Sequence, residues 1–376
     1  MKMHLVSFDV PYPPNYGGII VVYYHLKALK ELGVQVSLHC FHYDNNPKTD
    51  HLNELCEQVY FYKRKKRKNK LLSSKPFIVN TRMPKELLNN LCKDEAPIFF
   101  EGIHTTGHIQ DPKLAERLKI LRMHNIEWKY YESLKELDVD NWHRLFFHWE
   151  SKKLKKYEKK ISAHLDMIQC LSPADTKYYK ELHDNVSYIP VFQPYGKISC
   201  PLGKGSYALF HGKLSVADNE KAVMFLIQQV FAKHKFPFKV AGLDASKSLK
   251  AAIEKHEHID LIENPNGQEM RKLISEAHIN ILWSFQNNGL KLKLLHALYK
   301  GRHCLVNRDM IADELGLDQL CHVANDATAM IKKIKKLASR PFSKEAGHER
   351  EKVLSRSFDN LANAKRSLEL IRQIEK

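Results

Sequence analysis

Short apolar segments alternate with amphipathic ones along the whole chain. Between the first two apolar runs, Ile19, Tyr23 and Leu26 begin one face of a helix, and Gly33 ends it. Alternation of strands and helices predicts a mostly parallel sheet, whose ligands bind outside the carboxyl ends of its strands. The six runs that predict strands in the first half lie at 4–10, 34–41, 97–101, 119–123, 167–172 and 186–191.

The same strand-and-helix pattern restarts in the second half, with apolar runs at 207–211, 238–242, 259–263, 279–283 and 303–307. Between the halves, residues 190–206 hold three prolines and three glycines, which is typical of a linker. We therefore predict two α/β domains and a C-terminal amphipathic helix. The predicted bounds are 1–190 for the first domain, 191–206 for the linker, 207–356 for the second domain and 357–376 for the helix.

Composition fits this division. A chain of 376 residues that is 43% hydrophobic is long enough for about two cores. No apolar run approaches the roughly 20 residues of a membrane span, and the N-terminal residues 1–11 predict a strand rather than a signal peptide. The seven cysteines include no C-x-x-C pair, which argues against a disulfide framework and a zinc site. We expect a cytoplasmic protein.

The net charge of +17 is concentrated in two basic runs, Lys63–Lys70 and Lys152–Lys160. Such runs suit a polyanion, either the anionic inner leaflet of a membrane or a nucleic acid. A solvated surface that only keeps the protein soluble is a further interpretation. Because no RNA- or DNA-binding motif accompanies the basic runs, the membrane is favoured and nucleic acid is not.

The stretch PYPPNYGG, residues 11–18, joins the first strand to the first helix. Its prolines stiffen the chain as it leaves the strand. Gly17 and Gly18 then leave backbone N–H groups uncovered at the start of the helix, where a phosphate can approach. A loop that merely needs flexibility is the alternative.

A second unusual helix start lies in residues 288–307, where Lys291 and Lys293 follow a strand. Lysines at a helix N-terminus oppose the helix dipole, so their presence suggests an anion there, although ordinary solvent-facing lysines remain an alternative. The chain lacks G-x-x-x-x-G-K-[ST] and a strand-anchored G-x-G-x-x-G. This weighs against a P-loop NTPase and a nicotinamide dehydrogenase.

The order and spacing of these motifs resemble the GT-B glycosyltransferases, specifically the GT4-like retaining group, over nearly the whole length. Residues 13–18 match the family's P-x-x-x-G-G loop, and 210–222 match the strand and turn that open its second domain. GLKLKLLHA, residues 289–297, matches the family's G-x-K-x-K helix. The resemblance implies the GT-B fold: two Rossmann-like α/β domains facing each other across a cleft, with the ligand site in the cleft.

The resemblance also assigns residues. Gly17 and Gly18 face the donor diphosphate, together with Lys213 and Lys293, which correspond to phosphate-binding positions of the family. His104, at the carboxyl end of a strand, corresponds to the catalytic-site histidine beside the transferred sugar. From the residues alone, a structural histidine is an equally good interpretation of His104.

Another strand of the first domain ends at the same rim with the sequence RMHNIE. Arg122, His124 and Asn125 are therefore candidates for the acceptor side, and Glu127 is a weaker one. No metal site is predicted, because the lysines can neutralise the diphosphate.

The chain departs from the family where the two glutamates of its E-x7-E motif should bind the donor sugar and ribose. Asn288 and His296 occupy these positions, and Asp218 stands where many members carry a phosphate-contacting lysine. His296 can still hydrogen-bond a ribose hydroxyl through a ring nitrogen. Either the donor is bound differently, or catalysis is impaired or lost.

The sequence thus predicts a hexosyltransferase-type glycosyltransferase that moves a sugar from a nucleotide-diphosphate donor to a glycan or lipid-linked acceptor, with retention, in cell-surface polysaccharide biosynthesis. It would need no cofactor besides its nucleotide-sugar co-substrate. We expect it in the cytoplasm, either free or bound as a peripheral protein to the inner face of the membrane. The alternatives are a nucleotide-sugar epimerase of the same fold and a catalytically impaired binding protein.

Overall fold

The computed structural model describes residues 1–43, 50–65, 71, 73–135, 140–286, 291–311 and 316–375. The chain forms two compact units: unit 1 consists of Met1–Pro194 and Phe358–Lys376, and unit 2 of Tyr195–Ser357. The boundary falls inside the segment 191–206 predicted as the linker. The first residues of that segment are packed, because Val191, Phe192 and Gln193 are buried.

Unit 1 is built on a parallel sheet of seven strands in the order β3-β2-β1-β4-β5-β6-β7. The strands β1, β4, β5 and β6 are almost entirely buried, as expected for parallel strands covered on both faces. The bounds are β1 Lys2–Ser7, β2 Gln35–His42, β3 Gln58–Lys63, β4 Ile98–Glu101, β5 Lys119–Met123, β6 Met167–Cys170 and β7 Val186–Tyr188.

The helices of unit 1 cover both faces of this sheet. One face packs on the first and last helices, α1 and α14, through a cluster that includes Leu26, Leu29 and Leu368. The other face packs on α4 and α6 through Leu91 and Leu154. The bounds are α1 Gly17–Glu31, α2 Asp50–Leu55, α3 Phe77–Asn80, α4 Lys85–Leu91, α5 Glu127–Leu134, α6 Asn141–Ser162, α7 Pro173–Lys180 and α14 Asn360–Ile374.

The C-terminal helix α14 is thus an integral layer of unit 1. Leu368 and Ile371 are buried in the cluster that holds the core-facing side of α1. In the same helix, the Ser367 hydroxyl and the Gln169 side chain of β6 are hydrogen-bonded at 2.8 Å and 3.0 Å. The chain therefore returns to its first unit after completing the second.

Unit 2 repeats the architecture with six parallel strands in the order β10-β9-β8-β11-β12-β13. Val223 of α8, Leu249 of α9 and Ile334 of α12 pack on one face of the sheet. The strands are β8 Ala208–Lys213, β9 Phe238–Leu243, β10 Ile259–Glu263, β11 Ile279–Leu282, β12 His303–Val306 and β13 His322–Val323. The helices are α8 Ala217–Phe225, continued by a π-helical turn Leu226–Phe231, α9 Lys247–Ile253, α10 Gly267–Glu276, α11 Leu292–Lys300, α12 Ala327–Ala338 and α13 Lys344–Ser357.

The strand order reverses direction at one point in each sheet. In unit 1, β1 lies between β2 and β4, and in unit 2, β8 lies between β9 and β11. Ligands of such open sheets bind outside the carboxyl ends of the strands at this switch point. We therefore expect functional residues directly after β1 and β4 in unit 1, and directly after β8 and β11 in unit 2.

The described residues include no helix that is both long and apolar enough to cross a bilayer. All seven cysteines are unpaired, and four of them, Cys40, Cys56, Cys170 and Cys304, are buried. Buried free cysteines of this kind pack as small hydrophobic side chains.

Candidate functional site

A buried carboxylate organises the switch point of unit 1. Glu101, the last residue of β4, is fully buried and accepts hydrogen bonds from Nδ1 of His25 at 2.9 Å and Nε2 of His124 at 2.8 Å. The Arg122 guanidinium lies 3.5 Å away as an ion pair. Burial by itself would raise the pKa of Glu101, but Arg122 and the two histidine hydrogen bonds outweigh burial and hold the pKa below its ordinary range.

This charge fixes the tautomers of both histidines. Because an ionised carboxylate can only accept hydrogen bonds, Nδ1 of His25 and Nε2 of His124 must carry the protons. Burial, aided by Arg122, lowers the pKa of His25 to about 4, so this ring is neutral near pH 7. In a neutral His124, the remaining nitrogen Nδ1 is a hydrogen-bond acceptor.

Arg122 has a different position from the one predicted. Its side chain has no exposed surface, so it does not line the acceptor side of the rim. The guanidinium lies over the rings of Phe99 and Phe192 and donates to Oε1 of Gln169 at 3.0 Å. The reason is the strand register: Arg122 is paired with Glu101 on one side and Gln169 on the other, so the three side chains share one covered face of the sheet.

His104 lies in the 3-10 helical segment Ile103–His108 that follows β4 and is partly exposed. Its ring packs against Phe8, with 5.3 Å between centroids, and its Nδ1 is buried without a hydrogen-bond partner among the described residues. Burial, and then the charge of Arg82, lowers its pKa well below the ordinary value. A neutral ring with an unsatisfied nitrogen is suited to hydrogen-bond an uncharged hydroxyl.

Gly102 makes this position of His104 possible. Its φ of +76° lies in the left-handed region, which glycine adopts without strain. A Cβ at residue 102 would also lie 3.0 Å from Nδ1 of His104.

Glu127, given little weight from the sequence, faces His104 at the start of α5. Its Oε1 lies 3.6 Å from Nε2 of His104. Burial raises the pKa of Glu127 to about 7, opposed by Arg82, and burial together with Glu127 raises the pKa of Glu158 to about 8. Near neutral pH, burial therefore favours the protonated forms of Glu127 and of Glu158, which lies on the packed side of α6.

Of the other predicted acceptor-side residues, His124 and Asn125 are half-buried in the turn between β5 and α5. The ring of His124 meets the Phe8 ring edge-on, with 5.4 Å between centroids. Phe8 thus contacts both His104 and His124, and the turn after β1 brings the two predicted histidines to one place.

Gly17 and Gly18 form the first turn of α1. The N-cap residue Tyr16 supplies no side-chain hydrogen bond to this turn, and the turn holds no acidic residue. In the described part of the chain, its first N–H groups therefore have no side-chain acceptor. Gly18 has a second reason to be glycine, because a Cβ there would lie 2.6 Å from Cζ of Phe8.

In unit 2, Lys293 of α11 projects to the end of β8. Its Nζ donates to Oδ1 of Asn219 at 2.8 Å and lies 5.2 Å from the centroid of the Phe210 ring. Burial lowers the pKa of Lys293 to about 8; the Asp218 carboxylate opposes this shift and Lys291 adds to it. A partly desolvated lysine beside another lysine is stabilised when an anion binds.

Asp218, which stands where many members of the family carry a lysine, has a structural role within unit 2. Its Oδ2 accepts a hydrogen bond from Oγ of Ser284 at 2.8 Å, and its Oδ1 accepts one from the backbone N–H of Phe285 at 2.9 Å. It therefore holds the turn that follows β11 against the start of α8.

His296, on α11, stacks on Tyr195 with 4.8 Å between ring centroids and meets His211 of β8 edge-on at 5.8 Å. Nε2 of His211 and Nε2 of His296 are both buried, and neither has a hydrogen-bond partner among the described residues. Burial, and then Arg271, lowers the pKa of His296 to about 4. His211 was not singled out from the sequence, although it lies in the strand-and-turn motif at 210–222.

Lys213 ends β8 and differs from Lys293 in its exposure. Its side chain is 55% exposed, and Nζ lies 3.9 Å from Oδ2 of Asp244. Asn288, the other predicted donor residue, and Lys66–Lys70 of the first basic run lie outside the described residues. Within the described part of the chain, no cluster of three or more His, Cys, Asp or Glu side chains could hold a metal ion.

No family model matches the chain. A curated relative, an uncharacterised 44.6 kDa protein in the cps region of Klebsiella pneumoniae, is 25% identical over 316 residues, 79% of this chain and 80% of that protein.

Solved glycosyltransferases match over nearly the full length. Sucrose-phosphate synthase from Thermosynechococcus elongatus is 15% identical with a TM-score of 0.75 and covers 99% of this chain and 98% of its own. A variant of TarM from S. aureus, bound to fondaparinux, α-GlcNAc-glycerol and UDP, is 10% identical with a TM-score of 0.69. This match covers 98% of the present chain and 99% of TarM. HepE from Anabaena, bound to UDP and glucose, is 11% identical with a TM-score of 0.67. This match covers 99% of the present chain and 100% of HepE. The chain therefore has the GT-B fold of these glycosyltransferases, as the sequence predicts.

Proposed function

We propose that this protein is a glycosyltransferase that moves a sugar, a hexose by resemblance, from a nucleotide-diphosphate donor to a glycan or lipid-linked acceptor in polysaccharide biosynthesis. One observation carries the proposal. At the switch point of unit 2, the desolvated Lys293 lies near two neutral histidines, His211 and His296, whose buried Nε2 atoms have no hydrogen-bond partner among the described residues. Cations suit a diphosphate, and unsatisfied neutral nitrogens suit the hydroxyls of a ribose or a sugar.

The donor diphosphate is held by charge. Lys293 and the more exposed Lys213 neutralise the phosphates, and the charge on the departing diphosphate is stabilised by the same cations. This arrangement requires no metal ion. UDP, bound by the solved relatives HepE and TarM, is the first nucleotide to test.

His296 takes the place of the ribose-binding glutamate in this proposal. Its stacking on Tyr195 fixes the ring plane, and its low pKa keeps it neutral at physiological pH. A neutral histidine makes one hydrogen bond through Nε2 instead of the two that a carboxylate accepts. The loss of the E-x7-E glutamates then changes the donor contact without removing it.

In unit 1, the backbone N–H groups of Gly17 and Gly18 contact an anionic group of the donor, and His104 hydrogen-bonds the transferred sugar. His124 orients an acceptor hydroxyl, because Glu101 fixes the tautomer in which Nδ1 accepts a hydrogen bond. Transfer with retention follows from the resemblance to the GT4-like group. The Klebsiella relative in a cps region supports a role in polysaccharide biosynthesis.

In this proposal, the basic runs Lys63–Lys70 and Lys152–Lys160 attract the enzyme to the anionic inner face of the cell membrane, beside a lipid-linked acceptor. Neutralising the lysines of these runs should weaken binding to anionic vesicles in a salt-dependent way. Unchanged vesicle binding would remove this part of the proposal and leave the transfer reaction standing.

The test of donor binding is calorimetric titration of the full chain with UDP, GDP and their common sugar conjugates. We expect one nucleotide to bind, and His296→Ala to weaken it by about tenfold because one hydrogen bond is lost. Lys255→Gln, on the surface of unit 2, is the matched control and should bind as the wild type does. Absence of binding to every nucleotide would overturn the proposal, and turnover of a nucleotide sugar without an acceptor would replace transfer with epimerisation.

A further inference from the structure

Helix α6, Asn141–Ser162, carries an exposed apolar ridge. Trp142, Leu145 and Trp149 are 68%, 50% and 55% exposed, and they make up three of the ten large hydrophobic side chains exposed in the described chain. At 3.6 residues per turn, these three side chains fall within about 60° of arc around the helix axis. They therefore form one continuous strip and not scattered surface residues.

The ridge lies away from the side of α6 that packs on unit 1. That side is anchored in the core by Leu154, Tyr157 and Ile161. The ridge is centred roughly 120° from these residues around the helix. Packing of α6 on its own unit thus accounts for one face of the helix and leaves the ridge face without a partner in the described structure.

Lysines continue the same exposed face toward the C-terminus of α6. Lys156 and Lys160 follow the line of the ridge, and Lys152 and Lys159 flank it; all four are exposed. The Nζ of Lys152 lies 5.4 Å from the ring centroid of Trp149, so the cationic and apolar parts meet. The helix surface is apolar in its first half and cationic in its second.

Acidic residues are absent from this face. The two glutamates of α6, Glu150 and Glu158, are 1% and 3% exposed and lie on the packed side. Their burial leaves the charge of the lysines unbalanced at the surface. A solvated helix that only promoted solubility would not need tryptophans, and a protein partner matched to this face would have to supply both apolar and acidic groups.

We propose that α6 lies in the plane of an anionic lipid bilayer, with Trp142, Leu145 and Trp149 inserted at the headgroup–acyl boundary and the lysines against lipid phosphates. Tryptophan is favoured at this boundary because its ring is apolar and its N–H is polar. Helices with an apolar strip beside lysines bind membranes in this orientation. Single-stranded nucleic acid instead uses a basic groove with stacked bases, whereas this face is the outer surface of one helix.

The inference deepens the membrane contact of the proposed function, because it adds an apolar anchor to a purely electrostatic attraction. Electrostatic attraction is screened by salt, and insertion of apolar side chains is not. Binding should therefore have a salt-sensitive part from the lysines and a salt-resistant part from the ridge. Vesicle binding is measured without sugar transfer or nucleotide. The membrane inference can therefore fail while the proposed transferase activity stands, and the transferase proposal can fail while the membrane inference stands.

The experiment is flotation of the full chain with vesicles of phosphatidylcholine, alone or mixed with phosphatidylglycerol, at low and high salt. We expect Trp142→Ser with Trp149→Ser to weaken binding at high salt by about a hundredfold or more, since two apolar side chains are withdrawn from the bilayer. Leu202→Ser with Leu361→Ser, at exposed apolar positions elsewhere, is the matched control and should bind as the wild type does.

A second set of variants tests the contribution of the α6 lysines to vesicle binding. Lys152→Gln, Lys156→Gln and Lys160→Gln together should weaken low-salt binding to the anionic vesicles by about a hundredfold, and leave the salt-resistant part in place. The same change at Lys332, Lys335 and Lys336, exposed on α12 of unit 2, controls for net charge and should have a much smaller effect.

A spectroscopic readout separates insertion from simple adsorption. Acyl chains brominated near the headgroup should quench the fluorescence of the wild type and not of the double tryptophan variant bound at low salt, after circular dichroism has shown that both are folded. Equal high-salt binding of the double variant and the wild type would overturn the inference. Tighter binding of a short RNA than of anionic vesicles, lost with the same tryptophans, would overturn it in favour of a nucleic-acid surface.

Discussion

The Glu101 carboxylate accepts a hydrogen bond from Nε2 of His124 at 2.8 Å, and this contact determines which nitrogen of His124 is left for a ligand. Arg122 and His25 keep Glu101 ionised although it is fully buried. A buried charge with three partners is stable, whereas the same charge with fewer partners is costly. The rim of unit 1 thus depends on a group that contacts no solvent.

Glu101→Gln should lower the rate of sugar transfer by about 10- to 100-fold while leaving nucleotide affinity in unit 2 unchanged, because a displaced His124 misaligns the acceptor hydroxyl. The measurement is kcat/KM for the acceptor, together with calorimetric Kd for the nucleotide. Glu95→Gln is the control, since the Glu95 side chain is 89% exposed. Full activity in the Glu101 variant would show that His124 does not act through this contact.

Glu127→Gln should stabilise the protein at high pH. Burial raises the pKa of Glu127 to about 7, so folding favours its protonated form, and the carboxyl destabilises the fold as pH rises through 7. The neutral amide avoids this cost, with an expected gain of about 2–3 kcal/mol at about pH 8.5 and little change at about pH 5. Thermal unfolding at the two pH values checks the difference, and an equal change in Tm at both would contradict it.

Nucleotide binding should take up protons near pH 8. Because burial lowers the pKa of Lys293 to about 8, part of this group is neutral there, and a bound diphosphate raises its pKa again. We expect uptake of up to about half a proton per nucleotide at pH 8, and affinity that falls at higher pH. Calorimetry in two buffers of different ionisation enthalpy measures the uptake.

Lys293→Arg provides the control for proton uptake. An arginine keeps the charge but does not titrate in this range, so the uptake should disappear while a large part of the affinity remains. Persistence of the uptake in this variant would assign it to another group.

Gly18→Ala should lower the stability of unit 1 by about 1–3 kcal/mol, because the new methyl group overlaps Cζ of Phe8 at 2.6 Å and the ring must move. Urea unfolding measures the loss. Gly196→Ala, where the added Cβ meets no atom within 4 Å, is the matched control and should be neutral or slightly stabilising. If both variants unfold alike, Phe8 is not fixed by this contact.

The strands missed by the sequence analysis are both at sheet edges. β3, Gln58–Lys63, and β13, His322–Val323, each pair with one neighbour only. In β3, Tyr62 is the one buried residue, so the strand has little of the apolar pattern that predicts a strand. β13 is also only two residues long, too short for any periodicity.

Local sequence patterns were enough to predict eleven of the thirteen strands that the structure describes, the helix after each motif and the two-unit α/β fold. These features follow from local periodicity and from glycine and proline positions. The same patterns singled out His104 and His124, which follow strands, and Lys293 and His296, which lie on helix α11.

The pairing of distant residues becomes clear only from the folded chain. The register of β4, β5 and β6 places Glu101, Arg122 and Gln169 on one covered face, which made Arg122 a buried partner instead of a rim residue. The C-terminal helix joins unit 1 because Leu368 and Ile371 complete a core begun by α1. Such contacts depend on which strands become neighbours, and local sequence patterns carry no record of that choice.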